Sequence, residues 1–196
     1  MTTLEFHVKV SVPTLLYKTG EQIMLSYRKV RYGYPYRRIK LTKGYHVMVD
    51  VEDFERLNIS KWHVSGNHGK YYAVNSRMQR MHRLLMKDEL RKYAGKCKMF
   101  VDHINGNGLD NRKANLRVVT PTQNSWNSKN GMNRGKSKYK GVEWHKHSKR
   151  WVAVLSMHGK KIHVGTFTDD KEAARAYDRA AKKYRGKYAV LNFSEE

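Results

Sequence analysis

Apolar and polar positions alternate with several different periods along this chain, and each change of period marks an element. In the opening stretch, "FHVKVSV" alternates as a strand and "IMLSYRKVRYGYPY" follows as a second, with a turn at "KTG" between them. This predicts a β-rich extension over residues 1–37. "RRIKLTKGYHVMVD" predicts two strands turning at Lys43–Gly44, and "DVEDFERL" a short helix with Asp50 at its N-cap and Asp53 at its third position. "KWHVSGNHGKYYAVN" predicts a hairpin turning between Gly66 and Gly69, and "HRLLMKDELRKYAG" one basic amphipathic helix stopped by Gly95. "MFVDH" and "NLRVV" are strands either side of the polar loop "INGNGLDNRK". Thr120, Pro121 and Gln123 then form a capping box with proline in the first turn, which starts a helix carrying Asn124.

The polar, basic stretch over residues 129–138 predicts a linker, so a first unit spans 38–128 and a second 139–193. "YKGVEWH", "RWVAVLSM" and "KKIHVGTF" are three strands, the last two turning at His158–Gly159. "DDKEAARAYDRAAKKYRG" is a helix capped by Asp169, with Glu172 three residues on and Gly186 at its end. Ala173, Tyr177, Ala180 and Tyr184 define its inward face. The fold class is α+β: a ββα unit, then a three-stranded antiparallel sheet packed on one helix.

Charge changes the picture from fold to partner. Lys and Arg total 40 against 17 Asp and Glu, a net charge of +23, and the pI is near 10.1. Such an excess repels itself unless a polyanion neutralises it, and nucleic acid is the usual one. The 13 Tyr and 4 Trp interleaved with these bases can pack on sugars and bases or fill small β cores, and for most the core is the expectation. The single cysteine, Cys97, excludes an internal disulfide and any cysteine-based zinc site. No apolar run is long enough to span a membrane and "MTTLEFHVKV" is no signal peptide, so the expectation is an intracellular protein with no membrane partner. His145 and His147, in "HKHSKR", read as surface or phosphate-facing residues.

"VDHINGNGLDNRKANLRVVTPTQN" holds more Asn than a surface turn needs. A calcium loop starting at Asp102 would put Ile104, Gly106 and Lys113 where oxygen ligands are required, so that reading fails. Strand, loop, strand and helix can instead bring the ends of Asp102, His103 and Asn124 to one point. Together with "HRLLM", this text resembles the HNH nuclease family in its phage homing-endonuclease branch. The spacing is 12 residues from His103 to Asn115 and 9 more to Asn124. The resemblance implies a ββα-metal unit in which His103 is the general base, Asp102 and Asn124 hold a divalent ion, and Asn115 braces the loop carrying His103. Asn124 stands where the family name has His.

Phosphodiester hydrolysis suits these types. A neutral imidazole accepts a proton from water near pH 7, and one hard cation on Asp and Asn oxygens neutralises the departing oxygen. Oxygen ligands favour Mg²⁺ or Mn²⁺ over Zn²⁺. Two roles are open to His82: contact with the scissile phosphate, or packing. Arg83 is a candidate phosphate contact, as are Lys87, Arg91 and Lys92.

Residues 139–193 are similar to the plant Apetala-two/ethylene-response-factor DNA-binding domain, through "YKGV", "VGTF", "EAARAYDRAA" and the closing "LNF". The resemblance implies a sheet laid in the DNA major groove. Lys140, Glu143, Arg150, Lys161 and His163 match contact positions, with Trp144 and Trp151 nearby, and Trp151 also suits the sheet's core. The family prefers Arg and Trp where Lys140, Lys161 and His163 stand, so its target sequence does not transfer; lysine lacks the fork that reads guanine.

The reading that unites both halves is a site-specific, metal-dependent DNA endonuclease acting on double-stranded DNA as a monomer or a DNA-assembled dimer. The alternative is a sequence-specific DNA-binding regulator with an inactive nuclease fold. An RNA-associated basic protein fits less well, because a side-chain-bearing sheet suits the wide major groove of B-DNA. The resemblance further implies a phage-borne mobile element working in bacterial cytoplasm.

Overall fold

The computed structural model describes residues 14–127, 137–157 and 159–193, with side chains from residue 19 onward. "FHVKVSV" and the turn residue His158 lie outside the described residues. The expected second strand of the extension is a helix: α1 runs Thr14–Tyr32 and contains the "KTG" read as a turn. Ile23, Tyr27 and Val30 recur at helical spacing, a period hidden by the bases between them. Lys29 and Arg31 in the last turn complement the helix dipole. Gly33, at φ 80°, closes the helix by donating its N–H to the Lys29 carbonyl at 2.9 Å. An Arg37–Glu21 ion pair and a 2.5 Å hydrogen bond from the Arg28 guanidinium to the Tyr36 carbonyl hold α1 to the body.

The body begins with two antiparallel ribbons and a helix between them. β1 (Arg37–Lys40) pairs with β2 (His46–Val49), α2 spans Val51–Asn58, and β3 (His63–Asn67) pairs with β4 (Lys70–Val74). The turns are where the sequence puts them, at Lys43–Gly44 and at His68–Gly69, all four residues with positive φ. Ile39, Leu41, Val47, Val49, Phe54, Leu57, Trp62, Ala73 and Met81 close one core, because alternate strand positions and one stripe of α2 face inward.

The single amphipathic helix expected from His82 to Gly95 is broken. α3 covers Met81–Leu85 and α4 Lys87–Arg91, separated by Met86 at φ −99°, ψ 19°. α3 buries Met81 and His82, whereas α4 buries nothing, so no packing holds the two in line.

β5 (Phe100–His103) and β6 (Leu116–Val119) form the hairpin around the Asn-rich loop, with Asp102 opposite Arg117 and His103 opposite Leu116. α5 (Pro121–Trp126) follows with the expected capping box complete on Thr120 and Gln123. The loop is stitched to β2: Met48 N–H donates to the Leu109 carbonyl and Asn111 N–H to the Met48 carbonyl, both at 2.8 Å. Gly108 is required here, since a Cβ would lie 2.3 Å from the Tyr71 carbonyl oxygen.

The second unit is the expected sheet on a helix. β7 (Val142–His145), β8 (Arg150–Met157) and β9 (Lys160–Phe167) lie in that order, antiparallel, with a bulge at Ala153/Val154, and α6 (Asp170–Arg185) covers one face. Asp169 accepts the Glu172 N–H and caps α6. Its inward stripe is Ala173, Ala174, Ala176, Tyr177, Ala181 and Arg185. The expected Tyr184 is instead 50% exposed, because the stripe steps by four residues at its end and reaches Arg185. Buried Arg185 donates to the Ser156 carbonyl at 2.7 Å and the Tyr177 hydroxyl at 3.1 Å, while its Nε has no hydrogen-bond partner.

The two units touch. Lys140 Nζ donates to the Trp126 carbonyl at 2.5 Å, and the Arg185 guanidinium lies 5.4 Å from the Trp126 ring centre. Arg117 donates to the Lys187 carbonyl at 2.7 Å and lies 4.9 Å from the Tyr188 ring centre.

Candidate active site and nucleic-acid interface

His103 and Asp102 end β5 and are 5% and 9% exposed. With Asn124 they line one cavity of about 640 Å³, whose mouth carries Lys70, Arg80 and Arg83. His103 Nε2 lies 2.9 Å from the Asn111 carboxamide oxygen. That oxygen only accepts, so Nε2 carries the proton and Nδ1 keeps a lone pair. Burial depresses the His103 pKa, opposed by the Asn111 hydrogen bond and the carboxylates of Asp102 and Asp110. The ring is therefore neutral near pH 7, the state a base requires.

Asn115 is bonded within the loop on both sides of its carboxamide. Its amide donates to the Asn105 side-chain oxygen at 3.0 Å and the Asp110 carbonyl at 2.8 Å, and its own oxygen accepts from Asn105 N–H at 3.0 Å. Two loop residues escaped the sequence reading. Asn111 orients the His103 ring, and Asp110, 1% exposed, is pinned by the Arg112 fork at 2.7 and 2.6 Å. Their only signal was membership of an Asn- and Asp-rich loop.

Asp102 is engaged on both oxygens. Arg117 donates Nε and Nη2 to Oδ2 at 3.0 and 2.9 Å, and Asn127 Nδ2 reaches Oδ1 and Oδ2 at 2.9 and 2.8 Å. Asn127 also donates to the His103 carbonyl at 2.8 Å, so it, rather than Asn124, grips the end of the strand. Asn124 is half-buried and lines the cavity.

His82 is 3% exposed, with its ring edge-on to His103 at 4.8 Å between centres and tilted against Tyr72 at 5.6 Å. Its Nδ1 is buried with no hydrogen-bond partner. Burial first, then electrostatic repulsion by His103, Arg80 and Arg83 against a second proton charge, pushes its pKa down to about 3. A permanently neutral ring wedged against the base fits the packing role better than a charged phosphate contact. Arg83 is exposed at the cavity mouth.

In the second unit, Glu143, Arg150, Lys161 and His163 stand exposed on the sheet face away from α6. Lys161 pairs with Glu143 at 3.1 Å, and His163 Nε2 lies 3.1 Å from Thr166 Oγ1. Trp144 and Trp151 pair with each other across β7 and β8 with ring centres 4.8 Å apart. Trp151 packs on the α6-side core, the second role the sequence left open for it. Lys140 departs from expectation: it points at α5 of the first unit, not along the outer face. Burial, aided by Arg185, lowers its pKa to about 8.

Residues 91–126 match the HNH endonuclease family and residues 137–187 match the AP2 domain. The chain carries an HNH nuclease domain and an AP2 domain. Three relatives of the AP2 part illustrate the match. Ethylene-responsive transcription factor WRI1 of Arabidopsis thaliana is 48% identical over 65 residues, 32% of this chain and 15% of that protein. AP2-like ethylene-responsive transcription factor TOE2 of the same plant is 36% identical over 88 residues, 45% of this chain and 18% of that protein. APETALA2-like protein 2 of Oryza sativa subsp. japonica is 51% identical over 65 residues, 32% of this chain and 15% of that protein. The chain thus spans under a fifth of the length of these relatives.

The AP2 domain packs from Ser137, which is 4% exposed and accepts the Tyr139 N–H, to Phe193 against its core. HNH nucleases use a divalent ion, and the cavity offers hard oxygen donors from Asp102 and Asn124 beside a neutral imidazole. Hard oxygen donors of this kind fit a divalent cation. A second acidic group, Asp50, Glu52 and Asp53, has its ligand atoms within 4.8 Å of one another. Lys113 already fills it, donating its backbone N–H to Asp50 at 2.8 Å and Nζ to Glu52 and Asp53 at 2.9 Å. Asp50 therefore serves the loop and makes no side-chain cap on α2. Among the described residues no helix is long and apolar enough to cross a membrane.

Proposed function

We propose that this protein is a site-specific, metal-dependent DNA endonuclease of the homing type, in which the HNH domain cuts and the AP2 domain places the cut. The observation that carries this is His103: its Nε2 is fixed by Asn111 at 2.9 Å, its pKa is held down by burial, and it shares a cavity with Asp102 and Asn124. His103 Nδ1 takes a proton from the attacking water. Asn111 keeps the ring in one tautomer, and Asn115 keeps the loop from drifting out of line with the phosphorus. Lys70, Arg80 and Arg83 at the mouth draw the phosphate backbone in. A divalent ion, Mg²⁺ or Mn²⁺, held by Asp102 and Asn124 supplies charge neutralisation at the scissile phosphate and leaving oxygen. Arg150, Lys161 and His163 face outward from the AP2 sheet and supply contacts to duplex DNA. One such site per chain gives one nick per visit, and a DNA-assembled pair of chains gives a double-strand break.

The test is nicking of supercoiled plasmid carrying phage or host inserts, with Mg²⁺, with Mn²⁺ and with chelator. The wild type nicks at few positions and only with the ion. His103→Ala binds the same DNA and leaves it intact, and Asp102→Ala loses cleavage and ion dependence together. Equal nicking by His103→Ala defeats the assignment of the base. A second reading, a DNA-binding regulator with an inactive nuclease fold, draws on the engagement of both Asp102 oxygens by Arg117 and Asn127. Sequence-selective binding with no ion-dependent nicking on any substrate selects it.

A further inference from the structure

Asp102 is the carboxylate on which the proposed reaction depends, and Arg117 is already there. Strand register makes this obligatory: Asp102 and Arg117 face each other across β5 and β6. Their side chains are 10% and 14% exposed, so little solvent weakens the pair. The guanidinium donates twice to Oδ2, which leaves Oδ1 only the neutral Asn127 amide. The remaining donor of the same guanidinium goes to the Lys187 carbonyl at 2.7 Å, and its face lies 4.9 Å from the Tyr188 ring centre. Both residues belong to the segment that follows α6 in the AP2 domain. One arginine therefore ties the carboxylate of the nuclease site to the neighbouring domain.

We infer that Arg117 competes with a divalent cation for the Asp102 carboxylate, and that the Lys187–Tyr188 segment sets how firmly Arg117 holds it. The inference rests on the nuclease reading above. A carboxylate beside a guanidinium presents a nearly neutral pair to an arriving cation, whereas a carboxylate held by an amide alone presents a full negative charge. A loosened Tyr188 ring frees Arg117 to swing from Oδ2. Docking of the AP2 domain and ion affinity are thereby coupled, and coupling of binding energies acts in both directions.

The experiment titrates Mn²⁺ into the full chain without DNA and reads free Mn²⁺ by its paramagnetic resonance signal, so no cleavage is needed. Arg117→Gln binds Mn²⁺ about tenfold or more tightly than wild type, the loss of one charge-assisted contact. Tyr188→Ala, which leaves both charges in place, tightens binding by roughly two- to threefold, an order-of-magnitude figure for one cation–π contact. Asp102→Asn binds weakly or not at all. Should Arg117→Gln fail to fold, Tyr188→Ala carries the test, and an affinity equal to wild type overturns the inference. Unchanged or weaker binding by Arg117→Gln, with binding lost in Asp102→Asn, also overturns it while leaving the ligand role of Asp102 intact. Equal affinity in all the proteins fails that ligand role itself, and with it the reading on which the inference rests.

Discussion

His82 should make the HNH domain acid-sensitive by an amount that can be worked out. The ring is 3% exposed, its Nδ1 has no partner, and its pKa in the fold is about 3 against 6.5 in the unfolded chain. Between those two values the unfolded chain binds a proton that the folded chain refuses. Stability is therefore complete above pH 6.5 and falls as pH drops toward 3. The slope is about 1.4 kcal/mol per pH unit, so acidifying to pH 4.5 withdraws about 3 kcal/mol through this one ring. That is a large share of the 5–15 kcal/mol that typically separates folded from unfolded. His82→Phe keeps an aromatic ring between Tyr72 and His103 and cannot take a proton. Urea unfolding of both proteins at pH 7.0, 5.5 and 4.5 reads His82 together with its ring neighbour His103, because the more distant titrating groups are common to both and cancel in the difference. The wild type should lose about 3 kcal/mol more than His82→Phe across this range. Parallel losses, agreeing to about half a kcal/mol, would falsify the buried, neutral state of His82.

Asn111→Ala removes the side-chain hydrogen bond to His103, so kcat for nicking should fall by about tenfold or more with DNA affinity unchanged; an unaltered kcat refutes the orienting role. Gly141 sits at φ 75°, where a Cβ would lie 2.1 Å from the Tyr177 ring. Gly141→Ala should cost the AP2 domain about 2 kcal/mol or more in thermal or urea unfolding, and a neutral result would mean that the ring moves aside freely. Arg150→Ala should reduce the slope of log K against log salt for DNA binding by about 0.9, whereas Lys140→Met should leave that slope alone. Equal reductions would put Lys140 on the DNA rather than on Trp126. Nicking should rise with pH as His103 loses its proton and then level off; because burial depresses its pKa, the rise should end below the ordinary histidine range.

Where a local rule decides a feature, the sequence carried it. The hairpin turns at Lys43–Gly44 and His68–Gly69 follow from residues that tolerate positive φ, and the start of α5 follows from a complete capping box. The text that carries the resemblance singled out His103, Asp102, Asn115 and Asn124 as candidates, and three of them, Asp102, His103 and Asn124, line one cavity. What needed tertiary information was misread or missed. α1 has Ile23, Tyr27 and Val30 on one stripe, yet they are 68%, 54% and 88% exposed, so no buried face sharpens the pattern. The break at Met86 reflects what α4 fails to bury, which composition does not reveal. Asn111 is one of several asparagines in its loop, and only the return of that loop to β2 selects it as the partner of His103. Lys140 sits in a run of bases whose charge suggests DNA, but its direction is set by a contact between domains.

The hydrogen bonds that join Met48 to Leu109 and Asn111 bear on how portable this catalytic unit is. The HNH match begins at residue 91, but the edge to which its loop is sewn lies on β2, and the carboxylates that clamp Lys113 lie on α2 and its cap. A graft of residues 91–126 onto another scaffold would carry the base without the surface that aims it. Recombination that preserves catalysis must cut upstream of Arg37. The domain then travels with its own anvil, and an exchanged AP2 domain must still meet Arg117 and the Trp126 carbonyl.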